Sequence, residues 1–143
     1  NRFAMITFAS QSVGMPDLSR FDYKEWIRRT AEGYGFKTGD INYLFCDDDT
    51  VLDYNIRFLG HDYYTDIITF DDTAGSTING DIVISLDTVR TNSEKFSTTY
   101  EDELDRVIIH GILHLCGIND KGPGEREVME AAENVALAAR QPE

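Results

Sequence analysis

The chain has 143 residues, 41% of them hydrophobic and 11% aromatic, enough to bury one core, while its net charge of −13 at pH 7 argues against nucleic-acid binding through a broad basic surface. The longest apolar runs, such as Val107-Ile108-Ile109 and Ile82-Val83-Ile84, are too short to cross a bilayer, and the N-terminus lacks the basic-then-apolar pattern of a signal peptide. Cys46 and Cys116 are too few for a disulfide scaffold, so one soluble, cytosolic domain with two free thiols and no membrane partner is expected. An acidic chain can still hold RNA where a few arginines and a metal cation concentrate positive potential in one cleft, though bare RNA should then bind weakly.

Phe3 to Ala9 is short, apolar and rich in strand formers, and predicts a first strand. From Asp22 to about Tyr34, the residues Tyr23, Trp26, Ile27 and Thr30 recur at helical spacing, with Gly33 and Gly35 as stops. Trp26 is expected in the core of that packing. Ile41 to Cys46 predicts a second strand, closed by Asp47-Asp48-Asp49, which lacks the alternate ligand spacing of a calcium loop. Asp48 or Asp49 instead suits the N-cap of a helix from about Thr50 to Leu59, ended by Gly60.

Ile67 to Phe70 predicts a third strand, followed by a loop from Asp71 to Asn79 and a fourth strand over Ile82 to Leu86. Asp87-Thr88 is expected to cap a helix running to about Phe96. Ser97-Thr98-Thr99 offers a cap for the next helix, whose inward positions are Leu104, Val107, Ile108, Ile112 and Leu115 and whose stop is Gly117. Glu125 to about Arg140 carries Val128, Met129, Ala132, Val135, Ala136 and Ala139 at helical spacing, a closing helix. With strands early and long helices late, the order predicts an α+β fold, a small sheet with helices packed mainly on one side.

The chemistry concentrates in His110-Gly111-Ile112-Leu113-His114-Leu115-Cys116-Gly117-Ile118-Asn119-Asp120. Residues four apart share a helical face, so His110 and His114 can present imidazole nitrogens to one ion, and Gly117 supplies a turn that swings Asp120 back toward them. Two histidines and a carboxylate leave the fourth tetrahedral position for water. Zinc suits that ligand set best, one ion per chain, while nickel, cobalt, manganese and iron stay open. The spacing matches the metzincin zinc-protease pattern except at position 111 and at the final acid. There the proteases carry the glutamate that deprotonates water for attack on a peptide, whereas this chain has Gly111. Cys116 falls on the far side of the helix from His114 and is not expected to be a ligand.

These residues resemble the YbeY family of bacterial endoribonucleases, also called rRNA maturation factors. The resemblance runs from about Ile41 to the closing helix and includes Tyr54-Asn55-Ile56-Arg57, Asp62 with Thr65-Asp66-Ile67-Ile68-Thr69-Phe70, Gly80-Asp81-Ile82-Val83-Ile84, and the histidine segment with its hallmark Gly111. It implies a mixed four-stranded sheet packed with about five helices over residues 1–143, with a metzincin-like metal helix and turn. The activity it implies is metal-dependent cleavage of single-stranded rRNA, in maturation of the 16S rRNA 3′ end and ribosome quality control, with the small ribosomal subunit as partner and no DNA. Arg57 matches the family arginine, a group suited to bidentate phosphate contact and to stabilising charge in the transition state. A surface salt bridge is its alternative. Asn55, Thr65, Asp66 and Asp81 fit motif positions that also organise loops.

Two positions depart from the usual pattern. Asp120 stands where most relatives have a third histidine, which resembles a branch with an acidic third ligand and adds negative charge to the site. His61 replaces a common lysine and is expected to cap its loop. A metallopeptidase and a non-enzymatic ribosome-assembly factor holding a structural metal remain as alternative functions.

Overall fold

Ile41, Tyr43 and Phe45 point to one side of a strand and Leu44 and Cys46 to the other, and each set packs into its own apolar cluster. A strand buried on both faces must sit inside a sheet covered on both sides. The computed structural model describes residues 4–141, so Phe3 of the expected first strand lies outside the described residues. The chain runs β1 (Ile6–Ser10), α1 (Tyr23–Gly33), β2 (Lys37–Cys46), α2 (Asp48–Leu59), β3 (Ile67–Asp71), β4 (Thr77–Ser85), α3 (Leu86–Lys95), α4 (Tyr100–Leu115) and α5 (Glu125–Ala138). The sheet order is β1-β2-β4-β3, with β1 and β4 parallel to β2, and β3 antiparallel to β4. The expected α+β class with a mixed four-stranded sheet and five helices is the observed one.

Helices do pack mainly on one side. Trp26 and Ile27 of α1, Val89 of α3, the apolar stripe of α4, and Met129, Ala132 and Ala136 of α5 bury against one sheet face. Among the described residues of the helices, only Val51 and Tyr54 of α2 join Cys46, Ile68 and Val83 on the other. Trp26 is fully buried, and its indole N–H donates to the Ala136 carbonyl at 2.8 Å, tying α1 to α5. Both cysteines are buried and unpaired. Burial pushes the Cys116 thiol up to about 11 and that of Cys46 up to about 12, which leaves both unreactive at neutral pH.

Several boundaries differ from expectation for local reasons. β2 begins at Lys37, ahead of Ile41, because Lys37 and Thr38 pair with Thr77 and Ile78 before a register shift at Gly39. A Cβ at Gly39 would fall 2.1 Å from the Asn79 side-chain oxygen, so a larger residue there would displace the Asn79 side chain that accepts from the Asp40 amide. The expected loop from Asp71 to Asn79 is therefore mostly hairpin, with Ala74 bridging Thr77. Asp47, rather than Asp48 or Asp49, caps α2 by accepting from the Thr50 amide at 2.9 Å. Asp48 is occupied elsewhere, accepting from Ser85 Oγ and Thr88 Oγ1 at 2.6 Å each. Ser85 in turn caps α3 in place of Asp87-Thr88.

At the far end of the helical layer, Asp105 of α4 is completely buried. Its carboxylate accepts from Tyr23 Oη at 2.6 Å, Arg20 at 2.6 Å and Arg140 at 2.7 Å. One carboxylate thus joins the segment before α1, α1 itself, α4 and the chain after α5.

Candidate functional site

Thr99 caps α4 as expected, and the apolar residues Leu104, Val107, Ile108, Ile112 and Leu115 turn into the core. Three- and four-residue spacing then brings Glu103, Arg106 and His110 onto a second stripe, which faces a cleft of about 710 Å³. The α4 helix stops at Leu115. Gly117 takes a left-handed φ of 92°, and the Ile118 amide donates back to the Leu113 carbonyl at 3.1 Å. That reversal returns Asp120 to the helix, where its Oδ2 lies 3.3 Å from His110 Nε2.

The other ring nitrogen of His110 is also engaged. Nδ1 lies 2.7 Å from Glu133 Oε2 on α5, and Glu133 Oε1 accepts from Arg106 Nη1 at 2.8 Å. Arg106 Nη2 donates to Asn134 Oδ1 at 2.7 Å, so α5 is latched to the polar stripe of α4 at two adjacent residues. Burial works to lower the His110 pKa. The Glu133 hydrogen bond and the charges of Glu133, Asp120 and Asp66 outweigh it, and the net direction is upward.

Of the three expected ligands, the fold joins His110 and Asp120. His114 is half-buried one helical turn further along α4, and its side chain makes no hydrogen bond or ion pair with either. Among the described residues no group of three His, Cys, Asp or Glu side chains is close enough to hold an ion. The donor chemistry fits a borderline divalent cation all the same. One imidazole nitrogen faces a carboxylate, its partner nitrogen is anchored on a second carboxylate, and a further imidazole follows on the same helix.

The cleft is acidic. Asp66, Glu103, Asp120, Glu130 and Glu133 line it against Arg106, Lys121 and Arg126. Burial raises the carboxyl pKa of Asp66, with the His110 charge pulling it back, and burial likewise raises that of Glu103. Arg106 is committed to Glu133, whereas Lys121 and Arg126 form no ion pair with a described residue.

Arg57 sits in the last turn of α2 and is not part of the cleft wall. Its side chain is 65% exposed, pairs with Asp53 at 3.1 Å and lies over the Phe58 ring. Asn55 is buried and donates to the Tyr63 carbonyl at 3.0 Å, bracing the loop that leads to Asp66. Thr65 Oγ1 donates to the carbonyl of Ile67, the first residue of β3, at 3.3 Å, and His61 stacks on Tyr63 while hydrogen-bonding its hydroxyl at 3.0 Å. Asp81 lies away from the cleft, accepting from Asn42 at 3.0 Å. Cys116 is buried in the main core, outside the site.

Glu103, Arg106 and Glu133 were not singled out from the sequence. The first two stand at helical offsets from His110 that spacing could have revealed. Glu133 needed the docking of α5, which no local pattern shows.

A family model described as Endoribonuclease YbeY matches residues 7–141. The chain is 58% identical to the endoribonuclease YbeY of Bacteroides thetaiotaomicron over 135 residues, 94% of this chain and 98% of that protein. It is 60% identical to the endoribonuclease YbeY of Phocaeicola vulgatus over 134 residues, 94% and 97% of the two chains. The solution structure of a Thermotoga maritima protein is also similar, with a TM-score of 0.64 and 28% identity, covering 93% of this chain and 87% of that one.

Proposed function

The chain belongs to the YbeY endoribonuclease family, and from that premise we propose that it is a zinc-dependent endoribonuclease specific for single-stranded RNA. Its targets on this reading are the 3′ end of 16S rRNA and the small ribosomal subunit, in rRNA maturation and ribosome quality control. The observation that supports the reading most is the acidic cleft itself. Five carboxylates face three cations there, so a polyanionic strand needs a bound cation to enter.

His110, His114 and Asp120 are the residues that would hold the ion. Zinc supplies Lewis acidity toward a phosphoryl oxygen and makes a water easier to deprotonate. A carboxylate in the third place adds negative charge to the ligand set and lowers that acidity relative to three histidines. Lys121 and Arg126, which line the cleft and form no ion pair with a described residue, contact backbone phosphates of the entering strand. Arg57 contacts a phosphate from α2, exchanging its weak exposed pair with Asp53 for a stronger anionic partner. The fixed charge of a guanidinium then stabilises negative charge that develops in the transition state.

The test is a substrate panel: an unstructured oligoribonucleotide, its duplex, its DNA counterpart and casein. Cleavage of the single-stranded RNA alone, lost with a chelator and restored by zinc, is the expected outcome. Casein hydrolysis with the RNA intact would replace the nuclease with a peptidase. RNA cleavage indifferent to the chelator would remove the metal.

A further inference from the structure

We propose that Glu133 is a positioning residue for the metal site, holding His110 in the tautomer whose Nε2 lone pair faces the ion. The inference rests on the metal reading above. A neutral imidazole carries one proton and two nitrogens, and in His110 a carboxylate stands at each. Which carboxylate takes the proton decides which nitrogen can bind a cation.

The geometry decides for Glu133. It stands 2.7 Å from Nδ1, against 3.3 Å between Asp120 and Nε2, and its side chain is 9% exposed against 27% for Asp120. A shorter hydrogen bond with less access for water is the stronger of the two. Arg106 also clamps the second oxygen of Glu133 at 2.8 Å, so the carboxylate cannot swing away. In the neutral ring the proton therefore sits on Nδ1, and Nε2 and Asp120 are left as a pair of acceptors facing each other, an arrangement that calls for a cation between them. Glu133 touches neither substrate nor ion and acts through His110.

A purely structural brace between α5 and Arg106 is the competing role, and Glu133→Gln separates the two. Arg106 is a donor only, so it captures the amide oxygen of the glutamine and turns the amide NH₂ toward Nδ1. That forces the proton to Nε2 and blocks the metal-facing lone pair while the shape of the side chain is kept. Zinc affinity, read by competition with a chromophoric chelator, is expected to fall about 10- to 100-fold. The ring ¹⁵N shifts of His110 in metal-free protein at alkaline pH are expected to show the proton moving from Nδ1 to Nε2. Adding Arg106→Leu to Glu133→Gln frees the amide to turn its oxygen toward His110, and the Nδ1 proton and part of the affinity should return.

Unchanged zinc affinity in Glu133→Gln, unchanged His110 shifts, or a double variant no better than the single one would each overturn the proposal. Should Glu133→Gln fail to fold, the wild-type shifts decide, since a proton on Nε2 there contradicts the assignment directly. A wild-type chain that takes up no zinc overturns the metal reading and this inference with it, whereas tight wild-type binding that Glu133→Gln leaves untouched overturns this inference alone.

Discussion

A Cβ added to Gly111 would stand 2.9 Å from Ile82 Cδ1 and 3.1 Å from Ile82 Cγ2, so α4 lies on β4 at a separation where any larger residue must push the Ile82 side chain aside. Position 111 faces the sheet, not the cleft. A glutamate there, as in the zinc proteases of similar spacing, would be driven into the core between Ile82 and Ile67 and could not reach a water beside His110. The glycine that sets this chain apart from those proteases is thus a packing requirement that also removes their base.

Gly111→Ala should lower stability. Alanine gains about 1 kcal/mol of helix propensity over glycine, but overpacking a filled core costs about 1–3 kcal/mol. Ile82 is fully buried and has little room to yield. A net loss of up to about 2 kcal/mol in urea unfolding is expected, and a variant as stable as wild type would contradict the close approach.

The Asp105 cluster should be the costliest polar site to break. Asp105→Ala removes the buried carboxylate shared by the Tyr23 hydroxyl and by Arg20 and Arg140, whose side chains are 28% and 23% exposed, for an expected loss of about 3–5 kcal/mol. Tyr23→Phe removes one hydrogen bond to the same carboxylate and should cost about 1–3 kcal/mol. Equal losses for the two variants would mean that the carboxylate is not the hub.

Glu103 predicts a pH effect with a definite sign. Burial raises its carboxyl pKa above the ordinary 4.5, Arg106 partly offsets this, and Asp66 and Glu133 add to it. The folded state then holds the proton more tightly than the unfolded state. This group's contribution to stability must fall as pH rises from the ordinary carboxyl value through the raised one, and stay low above it. Glu103→Gln should be the more stable protein at neutral pH and match wild type in acid. Stability curves that run parallel across that range would refute the assignment.

Arg57→Ala should separate activity from folding. Its exposed pair with Asp53 is worth at most about 1 kcal/mol, so unfolding should barely change. If the guanidinium stabilises transition-state charge, kcat/KM for RNA cleavage should fall about 100- to 1000-fold. Full activity with lowered stability would leave only the salt bridge.

Local patterns were legible in the sequence, and contacts between distant segments were not. His110, Gly117 and Asp120 are close along the chain, so helix geometry and a glycine turn sufficed to bring Asp120 back to His110. His114 obeys the same spacing, but its side chain makes no hydrogen bond or ion pair with His110 or Asp120. Glu133 was hidden because its role exists only after Met129, Ala132 and Ala136 seat α5 on the core. The α2 cap failed for a related reason: Asp48 looks like a cap until Ser85, at the end of β4, and Thr88, in α3, claim its carboxylate.

The central claim is that His110, His114 and Asp120 hold one zinc ion on which RNA cleavage depends. Elemental analysis paired with a cleavage assay on wild type, His114→Ala and Asp120→Ala tests it most directly. About one equivalent of zinc in the wild type, lost together with cleavage in both variants, is the predicted result. Full RNA cleavage by protein stripped of metal, or zinc retained in His114→Ala, would contradict it.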